Sequence, residues 1–511
     1  MNTRNIFIYW VGKEFKLIKI LRDLINLHSS NGVGYKVNLI TDKNIRNYIK
    51  DIPEYFNSLS PVHQADFIRV HVICEYGGIW LDSDTIVMDK LDSLFDIIEK
   101  KDGFLMRENN LYLVNGVFGS KKQTPLMIRW KKELMSVLDR KEGKNIGWTD
   151  IGSSILKKMY NLDKKIYDNY EIFNGLDNMY PIYWKYCVNE FIEKPYDNYK
   201  NIMRGYQPLV VLVNSVYKAL ENKTEKEILE GNMPINYFIN KSIGVHKLSI
   251  NKLHNNALIY NYGKDDYISN SLVNFGTWEP NITSIFYNII EKNGTNNTII
   301  DIGCNIGYYS LICAKHKNVS NVYSVDGNSK NITMMSLSCK RNELFNVNLF
   351  NKCICDKVTY YKETNKEFVE SIGNIGGMSF EESNNIDGII STTIDNLIDE
   401  NKINNVLIMK IDIEGGELKA LKGAVKTLNT NIVKNIIIEV TPKFNNDGGK
   451  ILNILKEANY IIYNIPHKET GKLNYNKDYL KEIMSNPIDN INIFLNTIKN
   501  QTNVLAVKSI K

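Results

Sequence analysis

Asn297-Thr298-Ile299-Ile300-Asp301-Ile302-Gly303-Cys304-Asn305-Ile306-Gly307 is an apolar run of strand length that breaks into a glycine turn. Tyr308 to Lys315 behind it has helical spacing, and Asn321 to Val325 is a second strand that closes on Asp326, nineteen residues after Gly307. A strand, a glycine turn, a helix and a strand ending on an acid make the opening of a doubly wound α/β domain. Two cofactors use this geometry. A dinucleotide needs glycine where Asn305 stands and a third glycine where Tyr308-Tyr309 begins the helix, so that pyrophosphate can approach the backbone. S-adenosylmethionine (SAM) carries no phosphate: its methionine portion takes a polar turn with an acid before it, and its ribose hydroxyls take the carboxylate of Asp326. Asp301, Gly303, Asn305, Gly307 and Asp326 therefore fit SAM better, with a purely structural glycine turn as the plain alternative.

Asn405 to Ile411 and Asn435 to Val440 are further apolar runs of strand length between polar loops, as a parallel sheet covered on both faces requires. Lys410, Asp412 and Glu414 alternate with Ile411 and Ile413, so all three share one face at the C-terminal end of a strand, where open α/β sheets bind ligands. A hydroxyl is not ionised at neutral pH, so methyl transfer to it benefits from a base. Asp412 or Glu414 fits as base or acceptor clamp, and anchoring of a loop is the alternative. Glu439, ending another strand, is a lesser candidate, and Glu279, before the first strand, is placed to touch the methionine portion.

The N-terminal part has a different pattern. Asn5 to Val11 and Lys36 to Thr41 read as strands around a helix at Leu17 to Leu27. Val62 to Tyr76 reads as a helix with Ala65, Ile68, Val72 and Tyr76 on one face, and Gly77-Gly78 ends it with a glycine in the left-handed region. The strand Ile79-Trp80-Leu81 then delivers Asp82-Ser83-Asp84, two carboxylates on the same side of an extended segment. That spacing lets them share a divalent cation with a diphosphate. Alone, Asp-x-Asp is more often a solvated turn. Asp66 and Arg69, three apart on the helix, aim at the same cleft, as a surface ion pair or as holders of sugar hydroxyls and diphosphate.

His63-Gln64-Ala65-Asp66-Phe67-Ile68-Arg69 through Tyr76-Gly77-Gly78-Ile79-Trp80-Leu81-Asp82-Ser83-Asp84 resembles the "DxxR…GGxYxDxD" signature of DXD-motif sugar transferases of the Och1-like and capsular-polysaccharide type, over about residues 5 to 245. The large clostridial glucosylating toxins share this core. The resemblance implies a GT-A fold, a Mn²⁺ or Mg²⁺ ion on Asp82 and Asp84, and retention of anomeric configuration. It also implies a nucleobase stacked on an aromatic of the first strand, which makes Trp10 in Ile8-Tyr9-Trp10-Val11-Gly12 the candidate, with core packing as its plain reading. Trp80 departs from the usual Tyr. Asn115 to Gly119, Gly147 to Asp150 and Leu212 to Tyr217 resemble the later acceptor-side, sugar-side and closing-loop blocks. Downstream, Lys410-Ile411-Asp412-Ile413-Glu414-Gly415-Gly416-Glu417 with Leu421-Lys422-Gly423 resembles the "KxDxEGxE…LxG" block of FkbM-type O-methyltransferases. Asp301 to Ser310 matches their "DIGxNxGxxS" block and Thr393-Ile394-Asp395 their "TxD", over about residues 270 to 445. Gly416 replaces the usual Ala, and Asp326-Gly327 stands where many relatives have Glu-Pro.

With 511 residues, the chain has room for several domains, and 43% hydrophobic with 23% charged residues excludes a disordered or coiled-coil chain. Lys plus Arg of 63 against Asp plus Glu of 57 leaves +6, too little to argue for nucleic acid or a membrane surface. The start lacks a signal-peptide h-region and no apolar run approaches a membrane span. Seven scattered cysteines read as buried thiols of a reducing compartment, the cytoplasm of a bacterium or of a host cell if the source is viral. The expected architecture is α/β in two domains: a GT-A-type nucleotide-sugar-binding domain at 1–250, a polar linker at 251–270, and a Rossmann-like doubly wound SAM-methyltransferase domain at 271–511. The expected function is bifunctional glycan building, with transfer from a UDP- or GDP-sugar to a glycan acceptor and O-methylation of a sugar hydroxyl. The alternatives are that one domain only binds or scaffolds, or that the enzyme is a toxin-like protein glucosyltransferase.

Overall fold

A computed structural model describes residues 4–30, 35–108, 112–175, 179–203, 207–245, 247–264, 266–364, 380–383, 388–441, 447–466, 468, 470–498 and 501–509. The chain forms two compact units, dividing between residues 246 and 247. Both are mixed α/β.

In the first unit, β1 (Arg4–Tyr9) and β2 (Tyr35–Ile40) flank α1 (Lys16–Ser30), and α2 (Pro61–Tyr76) leads into β3 (Gly78–Leu81) and β4 (Thr85–Val87). β5 (Gly103–Glu108), β6 (Tyr112–Ser120), β7 (Tyr170–Asn174) and β8 (Leu209–Val211) follow. The main sheet has the order β2-β1-β3-β6-β5-β7, while β4 and β8 make a small antiparallel pair. β1 runs parallel to β2 and β3, and β3 runs antiparallel to β6, so the sheet is mixed. Both faces are covered. Phe7 and Trp80 pack into one core with Phe67, Trp130 and Leu134, while Ile6, Ile8, Ile79 and Leu81 pack into another with Ile25, Leu94 and Phe95. The period-2 alternation of a strand thus reads as a continuous apolar run.

α2 starts where Ser60 accepts the His63 amide and Pro61 takes the first turn, whose N–H has no helical partner. A single apolar stripe was expected on it; instead Gln64 and every residue from Asp66 to Cys74 are buried, because the sheet lies on one side and the Pro125–Lys141 helix on the other. Tyr76, placed on the expected stripe, is exposed. Gly77 (φ +67°) and Gly78 (φ +117°) both take left-handed backbone, and a Cβ on Gly78 would lie 2.3 Å from the Asn5 carbonyl oxygen.

The second unit is built on β11 (Asn297–Ile302), β12 (Val319–Asp326), β13 (Val347–Asn351), β18 (Val406–Ile411), β19 (Val433–Val440), β20 (Tyr460–Ile465) and β21 (Thr502–Lys508). Their order is β13-β12-β11-β18-β19-β21-β20, and only β21 runs against the rest. The chain order reverses between β11 and β18, which opens a crevice at their C-terminal ends. Adjacent Ile299 and Ile300 are fully buried, so this doubly wound sheet is covered on both faces. A small sheet of β14 (Cys353–Ile354), β15 (Tyr360–Glu363), β16 (Phe380–Ser383) and β17 (Ile389–Thr392) lies between β13 and β18 in the chain.

Residues 251–270 are not a linker. β9 (Ser249–Lys252) and β10 (Leu258–Asn261) form an antiparallel hairpin, and the Tyr267–Phe275 helix follows. Two asparagines that make the stretch look solvated bond to each other, Asn261 Nδ2 donating to Asn251 Oδ1 at 2.8 Å, and Asn342 from outside the stretch joins both the N–H and the C=O of Leu258. Leu253, Ile259, Tyr260 and Tyr262 are buried beneath them.

Candidate functional sites

In the first unit β3 ends at Leu81 and the Asp82 amide donates to the Gly116 carbonyl of β6, which turns the carboxylate toward α2. Arg69 then reaches it. The guanidinium lies 3.2 Å from Asp82 Oδ1 and 3.6 Å from Asp66 Oδ1, and it donates to the Asn115 carbonyl at 2.6 Å. Its plane stacks 5.1 Å over the Trp80 ring, whose Nε1 donates to Asp82 at 2.9 Å. The aromatic that replaces Tyr at this position therefore keeps a hydrogen bond to the aspartate. Asn115 Nδ2 donates to Asp66 Oδ1 at 2.7 Å. Asp66 and Arg69 are buried, so they are an internal pair rather than a surface one, and Arg69 meets a bound sugar only with N–H groups left over from these partners.

Burial pushes the Asp82 carboxyl above the usual carboxylate range, and Arg69 opposes this; Asp84 is raised well above it by burial and by repulsion from Asp82. The Asp82 side chain keeps 32% of its surface open, so solvent screening reduces its part of that effect. Two repelling carboxylates are the donor set a hard divalent cation prefers, and they leave most of its octahedral shell to phosphate oxygens and water. Asp82 and Asp84 fit such an ion.

Trp10, at the end of β1, is half-buried and meets Phe15 and Tyr217 edge-on at 6.1 and 5.8 Å; its buried Nε1 has no partner among the described residues. Burial, and behind it the charges of Asp84 and Asp82, push the Tyr217 hydroxyl up to about 12. The Leu212 amide donates to the Asp84 carbonyl at 2.9 Å and Ser83 Oγ donates to the Tyr9 carbonyl at 2.8 Å, so the backbone sets the 212–217 block and the end of β1 next to the Asp82–Asp84 turn, which Arg69 joins to Asp66. The 147–150 block is held differently: Asp150 pairs with Lys141 at 2.7 Å, and Trp148 is 66% exposed. Tyr180 has no sequence signal. Its hydroxyl is buried without a partner among the described residues, and a Cβ on Gly116 would meet it and Asp82 Oδ2 at 2.7 Å each.

In the second unit a cavity of about 460 Å³ opens where β11 and β18 part, lined by Gly303, Asn305, Asp326, Glu279, Lys410 and Asp412 among others. The 303–307 turn is shaped by backbone. Gly303 (φ +76°) passes the chain after β18 so closely that a Cβ would sit 1.7 Å from the Asp412 carbonyl oxygen, and Asn305 (φ +51°) is left-handed. Asn305 and Asn328 donate their amides to Asp326 at 2.8 and 2.7 Å, and Asn331 adds a 3.4 Å contact. Burial pushes this carboxyl up to about 6.

Two expected cavity residues do not line it. The Asp301 carboxylate is buried beneath the turn and accepts from Ser310 at 2.5 Å, because the last pleat of β11 aims it at the Tyr308–Ala314 helix. Gly307 (φ +89°) instead leaves room for Met335, which a Cβ would meet at 2.6 Å. Glu279 lines the cavity and is held by the Tyr309 hydroxyl at 2.8 Å and by Asn503 at 3.3 Å.

Lys410 Nζ is buried and donates to Asp412 Oδ2 at 2.6 Å, 4.9 Å over the Tyr309 ring. Burial would lower this amine, but Asp412, Glu279 and Asp301 outweigh it and hold Lys410 above the ordinary range. Glu414 (φ +52°) stands at the cavity mouth, exposed. Desolvation, and behind it the Asp412 and Glu417 carboxylates, push it up to about 8, and solvent at the mouth screens both effects. Glu417 accepts the Ile413 and Gly415 amides. Glu439 is buried at the end of β19 and pushed up to about 10 by burial and by Asp412, Glu414 and Glu417. Glu417 was not singled out by sequence, because the only signal for it is its place in the 410–417 run.

Residues 301–462 match the family model for the FkbM methyltransferase domain, and residues 1–204 match that for capsular polysaccharide synthesis proteins. A stretch of 105 residues is 31% identical to the mannosyl phosphorylinositol ceramide synthase SUR1 of Saccharomyces cerevisiae, covering 20% of this chain and 26% of that protein. The chain therefore spans about a quarter of the length of this curated relative. Among solved structures, methyltransferase FkbM from Methylobacillus flagellatus aligns at 16% identity and a TM-score of 0.26, covering 41% of this chain and 43% of that one. TYW2 of M. jannaschii, solved in complex with AdoMet, aligns at 12% and 0.25, covering 51% and 84%. The chain thus joins a glycosyltransferase-like unit to a methyltransferase-like unit. No helix among the described residues is long and apolar enough to cross a membrane.

Proposed function

We propose that the chain is a bifunctional enzyme of glycan assembly. Its first unit transfers a sugar from a UDP- or GDP-sugar to a glycan acceptor with a Mn²⁺ or Mg²⁺ ion, with retention, and its second O-methylates a sugar hydroxyl with SAM. The observation that supports the first activity is the Arg69 guanidinium shared by Asp66 and Asp82, with the Asp82–Asp84 turn bonded to Tyr9 next to Trp10 and to Leu212. Asp82 and Asp84 would hold the ion, which supplies charge neutralisation for a departing diphosphate. Arg69 fixes Asp82 in position, Asp66 and Asn115 fix Arg69, and Trp10 with Tyr217 offers an aromatic wall for a nucleobase.

The observation that supports the second is Asp326, at the end of β12, hydrogen-bonded to the Asn305 amide of the glycine turn and lining the same cavity as Gly303. SAM supplies an electrophilic methyl group. Asp326 Oδ2 keeps a lone pair for a ribose hydroxyl beyond the one the Asn305 amide takes, Glu279 faces the methionine portion, and Glu414 at the mouth is placed to accept the acceptor's proton. Lys410 clamps Asp412 as part of the acceptor wall. The cytoplasm, where nucleotide sugars and SAM are made, is the proposed location.

The test is a nucleotide-sugar hydrolysis screen with Mn²⁺, followed by mass spectrometry of products with SAM present. Asp84→Ala should abolish donor turnover and leave methyl transfer, while Asp326→Ala should lower SAM affinity roughly ten- to a hundred-fold, ~1.5–3 kcal/mol for a charged acceptor. Full donor turnover in EDTA refutes the first half. Wild-type SAM affinity in Asp326→Ala, or NADH binding in place of SAM, refutes the second.

A further inference from the structure

Among the described residues, the second unit holds a buried acid without a hydrogen-bond or ion-pair partner. Of its buried carboxylates, Asp266 is bonded to Ser269, Glu279 to Tyr309, Asp301 to Ser310 and Glu417 to two backbone amides. Glu439, 8% exposed, has no hydrogen bond or ion pair among the described residues, although it lines the cavity. An ionised carboxylate in that position costs several kcal/mol unless a cation or donor meets it. Its surroundings are acidic: one oxygen each of Asp412, Glu417 and Glu439 lie within 4.8 Å of one another. Lys410 Nζ reaches this group only through Asp412, at 2.6 Å, and no ion pair among the described residues joins it to Glu417 or Glu439.

A further oxygen is at hand. Asn503 is the cross-strand neighbour of Glu439 in the β19–β21 pair, so both side chains leave the same face of the sheet. Its Nδ2 is used by Glu279, while its buried Oδ1 has no partner among the described residues.

We infer that Asp412, Glu417 and Glu439 bind one divalent cation beside the cavity of the second unit, with Asn503 Oδ1 as the neighbouring neutral oxygen. The donors are all oxygen, three of them carboxylates, which selects Mg²⁺ or Mn²⁺ over the softer metals that seek thiolate or imidazole. For the proposed methyl transfer such a cation holds the acceptor hydroxyl oxygen as a Lewis acid; this use rests on the methyl-transfer reading, and the site does not.

The experiment uses the full chain carrying Asp84→Ala, which removes the cation site of the first unit, and follows free Mn²⁺ by electron paramagnetic resonance during titration without SAM. The expected result is one bound Mn²⁺ per chain, with affinity falling at least tenfold when Glu439→Gln is added and unchanged when Asp326→Ala is added. Absence of bound Mn²⁺ up to millimolar concentration overturns the site, as does binding that neither Glu439→Gln nor Glu417→Gln weakens. Should Glu439→Gln fail to fold by circular dichroism, Asp412→Asn takes its place, and the Asp84→Ala titration alone already decides whether a second ion binds. Mn²⁺ binding in a chain with no affinity for SAM would leave the site standing and remove the methyl-transfer reading.

Discussion

Replacing Arg69 by methionine keeps an unbranched apolar side chain on α2 and removes the guanidinium that lies over the Trp80 ring and holds the first site together. Arg69 is 5% exposed and faces Asp82 at 3.2 Å and Asp66 at 3.6 Å. Removing one partner of a buried pair leaves the other uncompensated, at about 3–5 kcal/mol. Asp66 is buried and bears this in full, whereas the Asp82 side chain is 32% open and regains water, so the lower end applies. With about 1 kcal/mol for the lost bond to the Asn115 carbonyl, the expected loss is about 3–4 kcal/mol. A unit of this size moves by about 2–4 °C per kcal/mol, so Arg69→Met should lower the melting temperature of the first unit by about 6–16 °C. Calorimetry of the full chain reads this in the transition that SAM does not shift. A double-mutant cycle with Asp66→Asn isolates the pair, since Arg69→Met should cost about 1–3 kcal/mol less once Asp66 is neutral. A loss below about 1 kcal/mol, or strict additivity with Asp66→Asn, would show that Arg69 does not neutralise these carboxylates and that its place is on the substrate.

Gly303→Ala should abolish SAM binding and the cooperative unfolding of the second unit, because the new Cβ would lie 1.7 Å from the Asp412 backbone oxygen; Gly415→Ala, with nothing within 4 Å and only its φ of +95° against it, should fold. Equal stability of the two variants by circular dichroism would refute the packed turn. Burial holds His71 down at about 4, so above pH 6.5 neither state carries its proton, and as pH falls from 6.5 to 4 the unfolded chain alone takes it up. Denaturant midpoints of the first unit should therefore fall by an amount worth about 3 kcal/mol across that window, less in His71→Gln, and an identical pH slope in the variant refutes it. A fragment of residues 271–511 should not fold, whereas 247–511 should: the hairpin side chains of Leu253, Ile259, Tyr260 and Tyr262 bury at about 1.5–3 kcal/mol each, as much as a whole domain's stability. The same melting temperature for both fragments would show that the hairpin is dispensable.

What the sequence disclosed follows from the range of each interaction. The 301–307 turn and the Gly77-Gly78 break were legible because glycine acts within one or two residues, and the structure gives both glycines of the pair positive φ where one was expected. Asp66 and Arg69 were legible as a helical i,i+3 pair, but not as a buried one, because Asn115 and Asp82 come from other strands and only the folded sheet closes them in. Asp301 shows the opposite failure. It belongs to the quoted run, yet the residue's presence says nothing of which way the last pleat of a strand points, and here it points to Ser310. Composition misled most at 251–270, where asparagines read as solvated although Asn261 in the hairpin satisfies backbone and neighbour as well as water does. The acids of the second unit could not be gathered from spacing at all: Asp412 follows β18, Glu417 opens a helix and Glu439 ends β19, and only the order of parallel strands brings their oxygens within 4.8 Å. That order is set by apolar runs with no bearing on charge, so acids gathered at its edge either hold their protons or meet a cation, and the Mn²⁺ titration separates the two.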